Sequence, residues 1–113
     1  MALSVNVKPY GDATVLEVSG DVDGSTAPEM QDTVLAAAGP GCRLLLDMSQ
    51  VEFMSSAGLR VMLLLYRQIS SNAGKVVLVG LSEDIQGTMS ATGFLKFFTI
   101  TETLEAGAAA LDN

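Results

Sequence analysis

Two apolar runs of strand length, Leu44-Leu45-Leu46 and Val76-Val77-Leu78-Val79, flank a segment in which Leu59, Met62, Leu63, Tyr66 and Ile69 recur at helical spacing. Strand, helix and strand in that order cannot close as a hairpin. The two strands must lie parallel, with the helix crossing over one face of the sheet. The rest of the chain extends this pattern. Val5-Asn6-Val7-Lys8 and Thr14-Val15-Leu16-Glu17-Val18 both alternate, and Pro9-Tyr10-Gly11-Asp12 between them is too short for a crossover, so they form an antiparallel hairpin. After a loop from Gly20 to Ser25, Thr26-Ala27-Pro28-Glu29 fits a capping box, with Thr26 as N-cap, Glu29 at the third helical position and proline tolerated in the first turn. That helix runs to about Ala38 and is stopped by Gly39-Pro40-Gly41. A strand from Arg43 to Asp47 follows, then the central helix from about Ser56 to Asn72, ended by Ala73-Gly74. Beyond the strand Val76 to Val79, the order continues with a helix around Glu83 to Ser90, a short strand near Phe97 to Ile100 and a helix from Leu104 to Leu111. Glu102 and Glu105 favour the start of that last helix through its dipole, while Gly107 weakens its middle. The expectation is one α/β domain over residues 1–113: an open mixed sheet with an N-terminal antiparallel hairpin strand followed by parallel βα units.

Composition narrows what such a domain can do. Six Lys and Arg stand against 13 Asp and Glu, and the net charge of −7 opposes binding to nucleic acid and to acidic membrane surfaces. The longest apolar stretch, Val61 to Tyr66, is far short of the ~20 residues that span a bilayer, so no membrane insertion is expected. Met1 to Val5 shows no basic leader followed by an apolar block, and a cytoplasmic protein is expected. Lone Cys42 reads as a small buried hydrophobe. The chain has no histidine, which excludes a Ser-His-Asp triad, a histidine base and a histidine metal site. Neither a Walker A sequence nor GxGxxG occurs, and the Asp-x-Asp-Gly-Ser of the first loop lacks the remaining ligands of a calcium loop. No cofactor, metal or catalytic residue is expected.

Loops leaving parallel strands emerge on one edge of the sheet, where open α/β folds place their sites. Two loops meet there. The first carries Asp21, Asp23, Ser25 and Thr26; the second carries Asp47, Ser49, Ser55 and Ser56, the last two at a helix start. A serine there either caps the helix or presents a hydroxyl for modification. The central helix has two apolar stripes, Leu59/Met62/Leu63/Tyr66/Ile69 and Val61/Leu64/Leu65. One faces the sheet; the other packs under the next helix or meets a partner. The alanine-rich tail Ala106 to Ala110 reads as a helix of small residues lying close on the sheet.

Val51-Glu52-Phe53-Met54-Ser55-Ser56-Ala57-Gly58-Leu59-Arg60-Val61-Met62-Leu63, preceded by Leu44 to Ser49, resembles the signature of the STAS family, the anti-sigma factor antagonists of bacterial partner-switching systems. Gly20 to Ala27 is similar to the family's loop after its second strand, and Ala91 to Phe98 to its small-Gly-apolar stretch. The resemblance covers nearly the whole chain. It implies a non-enzymatic STAS domain whose phosphoacceptor, two residues before the Gly-Leu pair, is Ser56. Where many members carry Asp, this chain has Ser55. By the same resemblance, Met54, Ser55, Gly58, Leu59 and Arg60 line a partner contact assisted by Asp23. The partner is an anti-sigma factor or switch-protein serine kinase, and a metal-dependent serine phosphatase resets the pair. A constitutive accessory subunit of a transporter ATPase or other regulatory assembly is the alternative.

Overall fold

The structure, a computed structural model, describes residues 3–112; Met1 and Ala2 of the leader reading, and Asn113 at the end of the expected domain, lie outside the described residues. The strands β1 (Ser4–Tyr10), β2 (Ala13–Ser19), β3 (Arg43–Gln50), β4 (Lys75–Val79) and β5 (Thr99–Thr101) form one five-stranded sheet in sequential order. β1 and β2 are antiparallel, and every later pairing is parallel. The hairpin closes over Gly11-Asp12, with Gly11 at φ 62° in the first central position, where a type II′ turn needs left-handed backbone. The expected mixed sheet, hairpin first and βα units after, is the observed one.

Helices α1 (Ala27–Ala36), α2 (Ser56–Ser71) and α3 (Glu83–Ala91) all cover one face. The core there joins Leu16, Val18, Leu44, Leu46, Met48 and Leu78 of the strands to Met30 and Val34 of α1, Leu59, Met62, Leu65 and Ile69 of α2, and Ile85 and Met89 of α3. Strand side chains alternate in direction, so Ala13, Val15, Leu45, Val77 and Val79 point to the other face, against Leu111 of α4 (Leu104–Leu111). Gly107 marks the closest approach of α4: a Cβ there would sit 2.9 Å from Leu45 Cδ2 and 3.0 Å from Val79 Cγ2. The glycine that weakens this helix as an isolated segment is what lets it lie on the sheet. Arg43 and Lys75 both donate to the Leu111 carbonyl, at 3.1 Å each, and Arg43 also pairs with Asp112, placing cations at the helix C-terminus.

Three local expectations are corrected. No capping box forms at Thr26: its hydroxyl accepts from the Asp23 N–H (2.9 Å) and donates to the Asp21 carbonyl (2.7 Å), and no side chain caps α1. Phe97, expected to open the last strand, instead ends a short 3-10 turn (Leu95–Phe97), and β5 begins at Thr99. The stripes of α2 also divide differently. Gly58, Leu59, Met62, Leu65 and Ile69 are buried, Leu64 is 38% exposed, and Tyr66 is half-buried against Phe98 (5.5 Å between ring centroids) and Phe97 (6.1 Å). The helix beside α2 is the preceding one, α1. Cys42 is half-buried against the core, and that burial pushes its thiol up from the ordinary value.

Candidate functional site

The β2–α1 and β3–α2 loops are joined by backbone. Val22 and Met54 form a parallel bridge in which the Val22 N–H donates to the Phe53 carbonyl (2.9 Å) and the Ser55 N–H donates to the Val22 carbonyl (2.8 Å). One step closer to the sheet, the Gly20 N–H donates to the Gln50 carbonyl at 3.3 Å. This stitching extends the β2–β3 pairing past the strand ends and fixes the start of α2 against the start of α1. Val22 and Met54 are themselves buried. Gly58 makes the approach possible, since a Cβ there would lie 2.9 Å from both Met54 Cγ and Val22 Cγ1 and 3.0 Å from the Val22 carbonyl oxygen.

The adjacent serines are set apart by backbone. Ser55, extended at φ −78° and ψ 173°, is the N-cap of α2: the Gly58 N–H donates to its Oγ (3.2 Å), and its carbonyl accepts from the Leu59 N–H (3.0 Å). Ser56 is the first helical residue. Its side chain is exposed and its hydroxyl bonds to no other group among the described residues. In the adjoining β2–α1 loop, the Asp23 carboxylate gathers the Ser25 hydroxyl (2.7 Å), the Ser25 N–H (2.9 Å) and the Thr26 N–H (3.1 Å), tying the turn that leads into α1. The Ser25 hydroxyl and backbone bonds, followed by those of Thr26, hold this carboxyl below its ordinary value.

The other candidates divide between surface and core. Arg60 is exposed one turn beyond Ser56, whereas Met54, Gly58 and Leu59 are buried under the loops and support them from within. Phe53, absent from the sequence-derived site set, is 51% exposed in the same loop as Ser56. Its only sequence signal is an aromatic residue inside a loop that carries the modifiable hydroxyls. Asp47 and Ser49 do not join this edge. They lie within β3, on the face opposite α1 and α2, with the Ser49 hydroxyl donating to the Asp47 carboxylate at 2.7 Å. β3 runs to Gln50, three residues past the expected end, and carries them away from the loop.

Sheet order, helix placement and the stitched loop pair define a small α/β domain of the STAS type. The STAS domain model matches residues 4–107, and the chain belongs to that family. It is 33% identical over 94 residues, 82% of this chain and 81% of the relative, to a Bordetella bronchiseptica protein provisionally named anti-sigma factor antagonist BtrV. An anti-sigma-B factor antagonist of Bacillus subtilis is 25% identical over 107 residues, covering 95% of this chain and 98% of that one. The crystal structure of an anti-sigma factor antagonist from Mycobacterium paratuberculosis superimposes with a TM-score of 0.87 at 26% identity, over 99% of this chain and 96% of that one. These relatives carry the names of regulatory proteins.

Proposed function

We propose that this chain is an anti-sigma factor antagonist of a bacterial partner switch, acting in the cytoplasm. Unphosphorylated, it binds an anti-sigma factor or equivalent switch protein that is also a serine kinase. Phosphorylation of Ser56 releases it, and a metal-dependent serine phosphatase restores it. The observation that carries this reading is the division of labour at the start of α2: Ser55 spends its oxygen on the cap, leaving the Ser56 hydroxyl exposed and unbonded. The names of the relatives support the antagonist role. No helix among the described residues is long and apolar enough to cross a membrane.

The docking surface in this reading centres on Ser56, with Phe53 and Arg60 as exposed neighbours and Asp23 and Ser55 at its margin. Met54, Gly58 and Leu59 contribute by shaping the loop from beneath. A phosphate on Ser56 adds about −1.5 to −2 charges at a helix N-terminus, which tolerates anions, so the fold is retained. The docked partner bears the cost. A dianion at an interface fitted to a neutral serine brings desolvation and repulsion from any facing carboxylate, and a loss of ~3 to 4 kcal/mol weakens binding several-hundred-fold. The test is binding of purified chain, with and without phosphate on Ser56, to its cognate kinase. Tight binding of only the unmodified form is expected. Equal binding of both would replace the switch with a constitutive assembly.

A further inference from the structure

The chain's six basic residues serve different ends. Lys8 pairs with Glu17 (3.1 Å), Arg43 reaches Asp12 (3.6 Å) and Asp112, Lys75 donates to Leu111, and Lys96 lies over the Phe97 ring (5.5 Å). Arg60 and Arg67 are exposed and have no such partner among the described residues. Both lie on α2, which contains no acidic residue although the chain carries −7 overall. At 3.6 residues per turn, Ser56, Arg60, Leu64 and Arg67 share one outward strip, and all four are exposed. Ser56 and Arg60 are four residues apart with the prospective anion on the N-terminal side, the better orientation for an ion pair on a helix. About 6 Å of axial rise separates them, against about 16 Å to Arg67.

We propose that Arg60 is the built-in receiver of a phosphate on Ser56. The guanidinium folds back one turn and closes a charge-assisted pair with the phosphate oxygens. This rests on the reading of Ser56 as the modified residue and adds a second consequence to it. Modification introduces a dianion and also withdraws an exposed cation one turn away from the surface offered to the partner. Arg67 lies beyond a Debye length of ~8 Å at physiological salt and takes no part. The other charges on neighbouring elements are acidic: Asp21 and Asp23 in the adjoining loop, Glu52 in the same loop, and Glu29 and Asp32 on α1. They disfavour the dianion, so Arg60 is the local group that favours it alongside the helix N-terminus.

The experiment installs phosphoserine at position 56 of the full chain by genetic encoding and follows its second ionisation by phosphorus NMR. The unsubstituted background is compared with Arg60→Gln and Arg67→Gln. Glutamine keeps helix propensity, and both variants keep the helix N-terminus and the surrounding carboxylates, so the comparison isolates each guanidinium. The phosphate pKa should rise by roughly 0.3 or more in Arg60→Gln, the shift expected for loss of an i,i+4 ion pair, and stay unchanged in Arg67→Gln. Equal values with and without Arg60, or equal shifts in the two variants, would overturn the proposal. Because encoding bypasses any kinase, this result stands apart from whether the cell phosphorylates Ser56.

Discussion

Ser55 and Ser56 carry the same hydroxyl on different backbone, and the difference assigns their work. The extended conformation of Ser55 aims Oγ back at the Gly58 N–H, while Ser56, already helical, projects outward. Ser55→Ala should therefore cost about 1 kcal/mol of stability, the usual worth of an N-cap, yet leave much of the phosphate incorporation by the cognate kinase. Ser56→Ala should show the opposite pair of results. Denaturant unfolding and a phosphorylation assay on both variants check this. Asp23 gives a pH signature. Its folded-state pKa is depressed by the Ser25 and Thr26 bonds, so the stability it contributes is full above its ordinary value of 3.8 and is lost as pH falls through the lower folded value. The stability difference between the natural chain and Asp23→Asn should shrink across that acid window; a difference that grows on acidification would contradict the assignment. At neutral pH, the same variant should phosphorylate or bind partner severalfold less well. A helix start near these serines was legible from apolar periodicity. Which oxygen caps it was not, because residue type is identical and only φ and ψ distinguish them.

Among the elements, the stitched loops decide where the site lies. Loops leaving parallel strands share an edge of the sheet, and the loops that carry Asp23 and Ser56 do meet there, bridged through Val22 and Met54. Asp47 and Ser49, expected in the same loop, lie elsewhere, because β3 continues to Gln50 and alternation turns them to the opposite face. The capping box at Thr26 failed for a related reason. The Asp23 carboxylate ties the Ser25 and Thr26 N–H groups into a turn just before α1, and the Thr26 hydroxyl is spent on the Asp23 N–H and the Asp21 carbonyl, a competing local turn that a four-residue motif does not register. The stripes of α2 were read as two because nearly every inward and flanking position is apolar; position relative to the sheet and α1 decides between them. Gly58 tests the loop packing directly. Alanine is the better helix former by about 1 kcal/mol, so Gly58→Ala would stabilise an isolated α2. In this fold its Cβ meets Met54, Val22 and the Val22 carbonyl at 3.0 Å or less, and overpacking of about 1–3 kcal/mol should prevail. Thermal unfolding will show the sign.

At the scale of the whole molecule, three helices cover one face of the sheet and α4 covers part of the other, leaving the starts of α1 and α2 together at the carboxyl edge. Charge added there meets a helix N-terminus and surface side chains; the core lies beneath. Ser56→Asp should consequently unfold near the natural temperature while binding the switch partner at least about tenfold more weakly. The antiparallel hairpin, the parallel βα units and the single α/β architecture were readable from the sequence since strand-length and helix-length apolar patterns alternate; the sequential order of the strands across the sheet was not. The contact surface was less so, because Met54, Gly58 and Leu59 belong to the same motif as exposed Ser56 and Arg60 but point inward. The central claim, that Ser56 is the residue through which the molecule is switched, is tested most directly by intact-mass analysis of the protein isolated from its native host, with fragmentation to locate any modification. One added phosphate, carried on Ser56, is the predicted result; a phosphate on Ser55, or none under any growth condition, would contradict it.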